Sequence, residues 1–95
     1  TYRQLDARAN RFAHALIARG VGPEHLVAVA LPRSLESVVA VLGVLKAGAA
    51  YLPVDPSYPK PRIAFMLDDA RPTVTVDDPA MVTDAAGPDT DPATA

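Results

Sequence analysis

A chain of 95 residues has room for one small domain and buries only about 60–65% of its unfolded surface, which leaves a thin margin of stability. Hydrophobic residues make up 49% and charged residues 21%, ordinary globular usage, and a formal net charge of −2 gives no reason to expect nucleic acid or an anionic membrane as a partner. Cysteine is absent, which excludes disulfides, thiolate metal sites and cysteine nucleophiles and fits a cytoplasmic location.

Thr1 with Gln4 three residues later matches a capping box, and a helix is expected to start there. Leu5, Ala9, Phe12, Leu16 and Ile17 recur at spacings of three and four, so they predict one apolar stripe, with Arg3, Asp6, Arg8, Arg11 and Arg19 mostly off it. Gly20 is placed to end this helix, and Gly22-Pro23 prevents its resumption. The run Leu26 to Leu31 is apolar without alternation, as in a strand buried on both faces, and Pro32 ends it. Ser34 can cap the next helix, with Glu36 favourably placed in its first turn. Nearly every position from Leu35 to Leu45 is apolar. The valines favour a strand, but the length and the Lys46-Ala47-Gly48 exit favour a helix, and a helix is the expectation. Such a helix needs cover on more than one side, which a chain this short is not expected to supply in full.

Ala50 to Val54 predicts a second strand, in which Pro53 cannot donate to a ladder and belongs at a strand end or an edge. Asp55-Pro56-Ser57-Tyr58-Pro59 is turn chemistry throughout. Pro59 or Pro61 can open a third helix with Ile63, Met66, Leu67 and Ala70 inside, and Thr73 to Val76 predicts a third strand. The order α-β-α-β-α-β with short connections implies an α/β fold, a parallel sheet covered by helices. Residues 77–95 carry five aspartates, no Lys or Arg and three prolines, and are expected to be an acidic loop or disordered tail. Residues 1–76, with nine basic and six acidic residues, carry a net +3.

Few residues suggest chemistry. Gly20-Val21-Gly22 follows a helix and precedes a strand, the reverse of a nucleotide loop. Lys46 near Gly48 lacks the rest of a phosphate loop and suits the last turn of a helix. His14 and His25 have neither a second metal ligand at the right spacing nor a nucleophile to activate. Asp68 and Asp69 are neighbours and point about 100° apart on a helix, so they do not face one another as paired carboxylates. Asp55 stands where ligands bind in open α/β sheets, yet Asp before Pro is also an ordinary turn-former, and that structural role is the favoured one. No catalytic, cofactor-binding or metal-binding residue is assigned. No apolar run reaches the roughly 18–20 residues a bilayer requires, and no leader-like start is visible. The chain opens on Thr1 with helical signals at once, as a piece of a longer polypeptide does; loss of an initiator methionine is the alternative.

The run Leu45-Lys46-Ala47-Gly48-Ala49-Ala50-Tyr51-Leu52-Pro53-Val54-Asp55-Pro56 closely resembles the second core motif of amino-acid adenylation domains of nonribosomal peptide synthetases, in the adenylate-forming superfamily. Its continuation, Ser57-Tyr58-Pro59, Arg62-Ile63, Met66-Leu67 and Asp69-Ala70, is similar to that family too. Thr1-Tyr2-Arg3-Gln4-Leu5 resembles the first core motif, in which an acidic residue is commoner at the place of Gln4. The resemblance covers residues 1–76 in order and spacing. It implies the start of a large N-terminal domain of layered sheets and helices. It also implies a parent enzyme that activates an amino acid with Mg-ATP and passes it to the phosphopantetheine thiol of a carrier protein. The implied partners are the remainder of the adenylation domain and the carrier-protein and condensation domains of the parent. The family's phosphate loop, substrate aspartate, ribose-binding aspartate and C-terminal lysine all lie downstream of the second motif, so none is carried over, and the 95-residue chain alone is expected to be inactive. An acyl- or aryl-CoA ligase fragment is an alternative, disfavoured by the Pro-Ser-Tyr-Pro turn. A non-catalytic remnant or interaction module is another.

Overall fold

The computed structural model describes residues 1–86, and local signals set most of its boundaries. Helix α1 spans Tyr2–Ala18 behind a complete capping box: the Thr1 hydroxyl accepts the Gln4 N–H at 3.2 Å, while the Gln4 side chain accepts from the Thr1 amino group at 2.6 Å. Helix α2 spans Leu35–Lys46, and Ser34 and Ser37 exchange the equivalent bonds at its start. Both helices end alike. Gly20 and Gly48 take positive φ of 88° and 85°, and Val21 and Ala49 donate back to the carbonyls of Leu16 and Val44 at 3.1 and 3.2 Å. These are Schellman closures, for which a residue without Cβ is best suited. Helix α3 spans Lys60–Ala70 and opens behind Pro59 with Pro61 in its first turn, where the missing N–H costs nothing.

The strands β1 (Leu26–Val29), β2 (Ala50–Pro53) and β3 (Val74–Val76) form one parallel sheet in the order β2-β1-β3. The central strand is buried on both faces, as its unalternating run predicts. Val27, Val29 and Leu31 join the cluster beneath α1 and α2, while Ala28 and Ala30 pack with Val54, Leu52, Ile63, Met66 and Leu67 on the α3 side. The connection from β2 through α3 therefore passes over β1 to reach β3. On the first face α1 and α2 approach closely at Gly43, where an added Cβ would stand 2.7 Å from Phe12 Cδ2 and 3.2 Å from the Ala9 carbonyl. An ion pair of Asp6 with Lys46 at 2.8 Å ties the two helices further.

Three expectations are corrected. Residues 77–95 are not loop throughout: Pro79–Ala86 form helix α4, and residues 87–95 of that segment lie outside the described residues. The Asp78 carboxylate accepts the Ala80 N–H at 2.9 Å and Pro79 occupies the first turn, so two residues counted towards an acidic, proline-bearing tail are in fact a helix start. Val82 and Ala86 are wholly buried, with Met81 and Ala85 packed against the same core, and the Arg11 Nε–H donates to the Ala86 carbonyl at 2.7 Å. Ile17, placed on the inner stripe, is 51% exposed; it lies about 100° round the helix from Leu16, beyond the arc that α2 and α4 cover. Arg8, placed off the stripe, is 1% exposed and pairs with Glu36 at 3.6 Å. The outer side of α2 keeps Leu35, Val38 and Leu45 exposed, so its incomplete cover matches the expectation.

Candidate functional site

In an open α/β sheet the place for a ligand is the crevice outside the carboxyl ends of the strands. Here that crevice is an open groove of about 640 Å³ between the start of α2 and the ends of β1 and β2. The exit from β1 contributes Leu31, Pro32 and Arg33, α2 contributes Ser37 and Val41, and Tyr51 and residues 53–58 form the opposite wall. β1 ends at Val29, and Arg33, just beyond Pro32, is exposed.

Turn chemistry shapes the opposite wall. The Asp55 carboxylate accepts both the Ser57 N–H at 2.9 Å and the Ser57 hydroxyl at 2.8 Å, an Asx-turn closed by the Tyr58 N–H donating to the Asp55 carbonyl at 3.1 Å. The Ser57 backbone bond, helped by the Ser57 hydroxyl, holds the Asp55 carboxyl below its ordinary 3.8. Arg62, one turn into α3, stacks its guanidinium 4.4 Å from the centre of the Tyr58 ring. The favoured reading of Asp55 as a turn-former fits this geometry, because the carboxylate organises its own loop.

The residues the sequence singled out do not converge. His14 is exposed on α1. The His25 Nδ1 accepts the Gly22 N–H at 2.7 Å within the turn before β1. Lys46 pairs with Asp6 in the last turn of α2. Asp68 and Asp69 are both exposed on α3, and Gly20 is spent on closing α1. Sequence reasoning missed Arg33, Ser37 and Tyr51 as groove residues; the signal was available for Arg33, which directly follows the proline at the end of a buried apolar run. Ser37 was not legible, because its hydroxyl serves the α2 cap, donating to the Ser34 carbonyl at 2.7 Å.

The groove offers one carboxylate, one guanidinium, hydroxyls and no imidazole; its hydroxyl–carboxylate pair, Ser57 on Asp55, is exposed and closes the local turn, and a carboxyl held below its ordinary value is a weak base for activating a hydroxyl. Among the described residues no three His, Asp or Glu side chains gather as a metal would require, and no glycine-rich loop opens a helix. The donor set does not fit Mg-ATP. None of the helices of the described residues is long and apolar enough to cross a membrane.

A family model described as AMP-binding enzyme matches residues 1–94. A dimodular nonribosomal peptide synthase of Bacillus subtilis (strain 168) is 65% identical over 72 residues, covering 76% of this chain and 3% of the relative. A probable non-canonical nonribosomal peptide synthetase, CymA, of Salinispora arenicola is 48% identical over 111 residues, covering 97% of this chain and 1% of that protein. Among solved structures, apo MatB from Rhodopseudomonas palustris superposes with a TM-score of 0.75 at 32% identity, over 92% of this chain and 18% of MatB. The holo form of AB3403, a four-domain nonribosomal peptide synthetase bound to AMP and glycine, gives the same TM-score at 36% identity, over 79% of this chain and 6% of its own. The chain thus spans a small fraction of the length of each protein it matches.

Proposed function

The chain belongs to the AMP-binding enzyme family, and on that premise we propose that it forms the opening part of an amino-acid adenylation domain in a nonribosomal peptide synthetase. The observation that carries this is its 65% identity, over 72 residues, to a dimodular synthase of that class. In the proposed parent the amino-acid carboxylate attacks the α-phosphorus of ATP, giving aminoacyl-AMP and releasing pyrophosphate. The phosphopantetheine thiol of a carrier domain then attacks the acyl carbon and releases AMP. Mg-ATP, the carrier domain and a condensation domain belong to that parent, whose setting is proposed to be cytoplasmic. None of these steps is assigned to a residue of this chain, since the donors described above do not fit Mg-ATP.

What this chain contributes is framework. The motif from Leu45 to Pro56 encodes, in order, the last turn of α2, its Schellman closure at Gly48, strand β2 and the Asx-turn. Such a unit sets the height and direction of the carboxyl edge of the sheet, on which positioning of bound groups depends. The test is amino-acid-dependent exchange of pyrophosphate into ATP. The expected result is exchange by the parent polypeptide with at least one amino acid and none by residues 1–95 alone. A parent active only on carboxylic acids that lack an amino group, or exchange by the 95-residue chain, would refute the proposal.

A further inference from the structure

Helix α2 has two apolar faces, and the one turned towards α1 is the less apolar of the two. At about 100° per residue, Leu35, Val38, Leu42 and Leu45 fall on one side, and Leu35, Val38 and Leu45 are exposed. Glu36, Val39, Ala40, Gly43 and Val44 fall roughly 150° away, and all of these except Glu36 are buried. Burial of apolar area by itself favours the opposite setting, with three leucines and a valine inside. Something other than hydrophobic gain therefore chooses the face that meets α1.

Gly43 makes part of that choice. Its missing side chain lets Phe12 and the Ala9 carbonyl approach, but one point of contact leaves the direction of crossing open. Glu36 supplies a second point. It lies two turns before Gly43 and within about 20° of the same line along the helix, and its carboxylate stands 3.6 Å from the Arg8 guanidinium. The first turn of a helix favours a carboxylate, which accounts for an acid at this position but not for an arginine 1% exposed against it. Taking a guanidinium out of water offsets much of what the pair returns, and the best-attested use of buried pairs is to fix register rather than to add stability. With the leucine face turned to α1, Glu36 would leave Arg8, and the buried arginine would lose its partner on α2. That penalty falls only on the wrong setting.

We infer that the Arg8–Glu36 pair, together with Gly43, selects the face that α2 presents to α1 and excludes the more apolar alternative. Its role is to specify this setting and not to add stability. Arg8 and Glu36 are thus positioning residues for the layer that underlies the sheet. The inference goes beyond the reading of function above and does not depend on it.

The second tie between the helices reports this setting directly. Lys46 Nζ lies 2.8 Å from the Asp6 carboxylate, and both side chains are partly exposed, so a carbodiimide, which condenses a carboxylate with a touching amine, joins them. Peptide mass spectrometry of the full parent polypeptide measures the yield of that link. In Glu36→Gln, and in the double variant Arg8→Met/Glu36→Gln, the yield is expected to fall at least about tenfold as α2 turns, while resistance to limited proteolysis stays that of the unsubstituted protein. Glu24→Gln, which removes an exposed carboxylate in the turn before β1, is the control and should leave the yield unchanged. Full yield in the double variant would overturn the inference, since the setting would then hold without the pair. Loss of proteolytic resistance in the double variant would overturn it too, because the pair would then be a source of stability. An equal fall in Glu24→Gln, or no link in the unsubstituted protein, would also count against it. Pyrophosphate exchange is not a readout here, so the functional proposal stands or falls separately.

Discussion

The two faces of the sheet are covered unequally. Beneath α1, α2 and α4 the core contains Phe12, Leu16, Val27, Val39, Val44, Val76 and Val82, each at most 3% exposed. On the other face Ala28, Ala30 and Val54 are buried, but α3 has no buried residue, and Phe65 is 70% exposed. The first face is a well-covered layer made by residues distant in sequence. The second is a single helix resting on alanines, with its packing side chains partly in solvent. The difference teaches where this unit keeps its stability: hydrophobic gain follows apolar area removed from water, and most of that area lies on one side.

Substitutions sharpen the contrast. Phe12→Ala is expected to have the largest effect, about 3–5 kcal/mol, because it empties the layer between α1 and α2. Leu67→Ala on the α3 face should cost less than half of that, and equal shifts in the urea midpoint for the two variants would remove the asymmetry. Next comes Gly43→Ala, expected to destabilise by about 1–3 kcal/mol despite alanine's better helix propensity, since the new methyl meets Phe12 and the Ala9 carbonyl. Gly22→Ala is its control, with only the His25 ring within 4 Å of the added carbon, at 3.8 Å, and should be near neutral. A Gly43 variant as stable as the parent protein would mean that α1 and α2 are not held in close contact.

Gly48→Ala should cost about 1–2 kcal/mol, because φ of +85° is strained for any residue with a Cβ. It would show in thermal unfolding, and no loss would mean that the closure of α2 relaxes freely. The smallest expected effect is on pH dependence at Asp55. Its folded-state pKa is lowered by the bonds from Ser57, so its contribution is present above the ordinary carboxylate range and is lost as pH falls through the folded value. The carboxyl carbon of Asp55 should titrate below 3.8 by NMR, and Ser57→Ala should move the midpoint up. An unchanged midpoint would detach the turn from that hydroxyl.

Much of the candidate site was legible as turn chemistry before the fold was known. Asp55 and Ser57 two residues apart specify an Asx-turn from local geometry alone, and the structure forms it. The groove was not legible as a groove, because Arg33 follows β1 and Tyr51 lies in β2, and they line one crevice only when β1 and β2 pair.

The sequence by itself determined the ends of α1 and α2, through the Thr1 capping box and the glycines at 20 and 48. It also determined that β1 is buried on both faces and that Pro53 belongs on an edge. Those features depend on bonds within a few residues, or on one residue's lack of a Cβ or an N–H. Tertiary structure alone decided the strand order β2-β1-β3, the burial of Arg8 against Glu36, the exposure of Ile17 and the folding of Pro79–Ala86 into a helix. An eight-residue helix is marginal in water without partners, and α4 forms where Val82 and Ala86 meet the core and Arg11 meets its last carbonyl. Arg8 and Ile17 sit at opposite limits of the buried arc of α1, and only the positions of α2 and α4 determine where that arc falls.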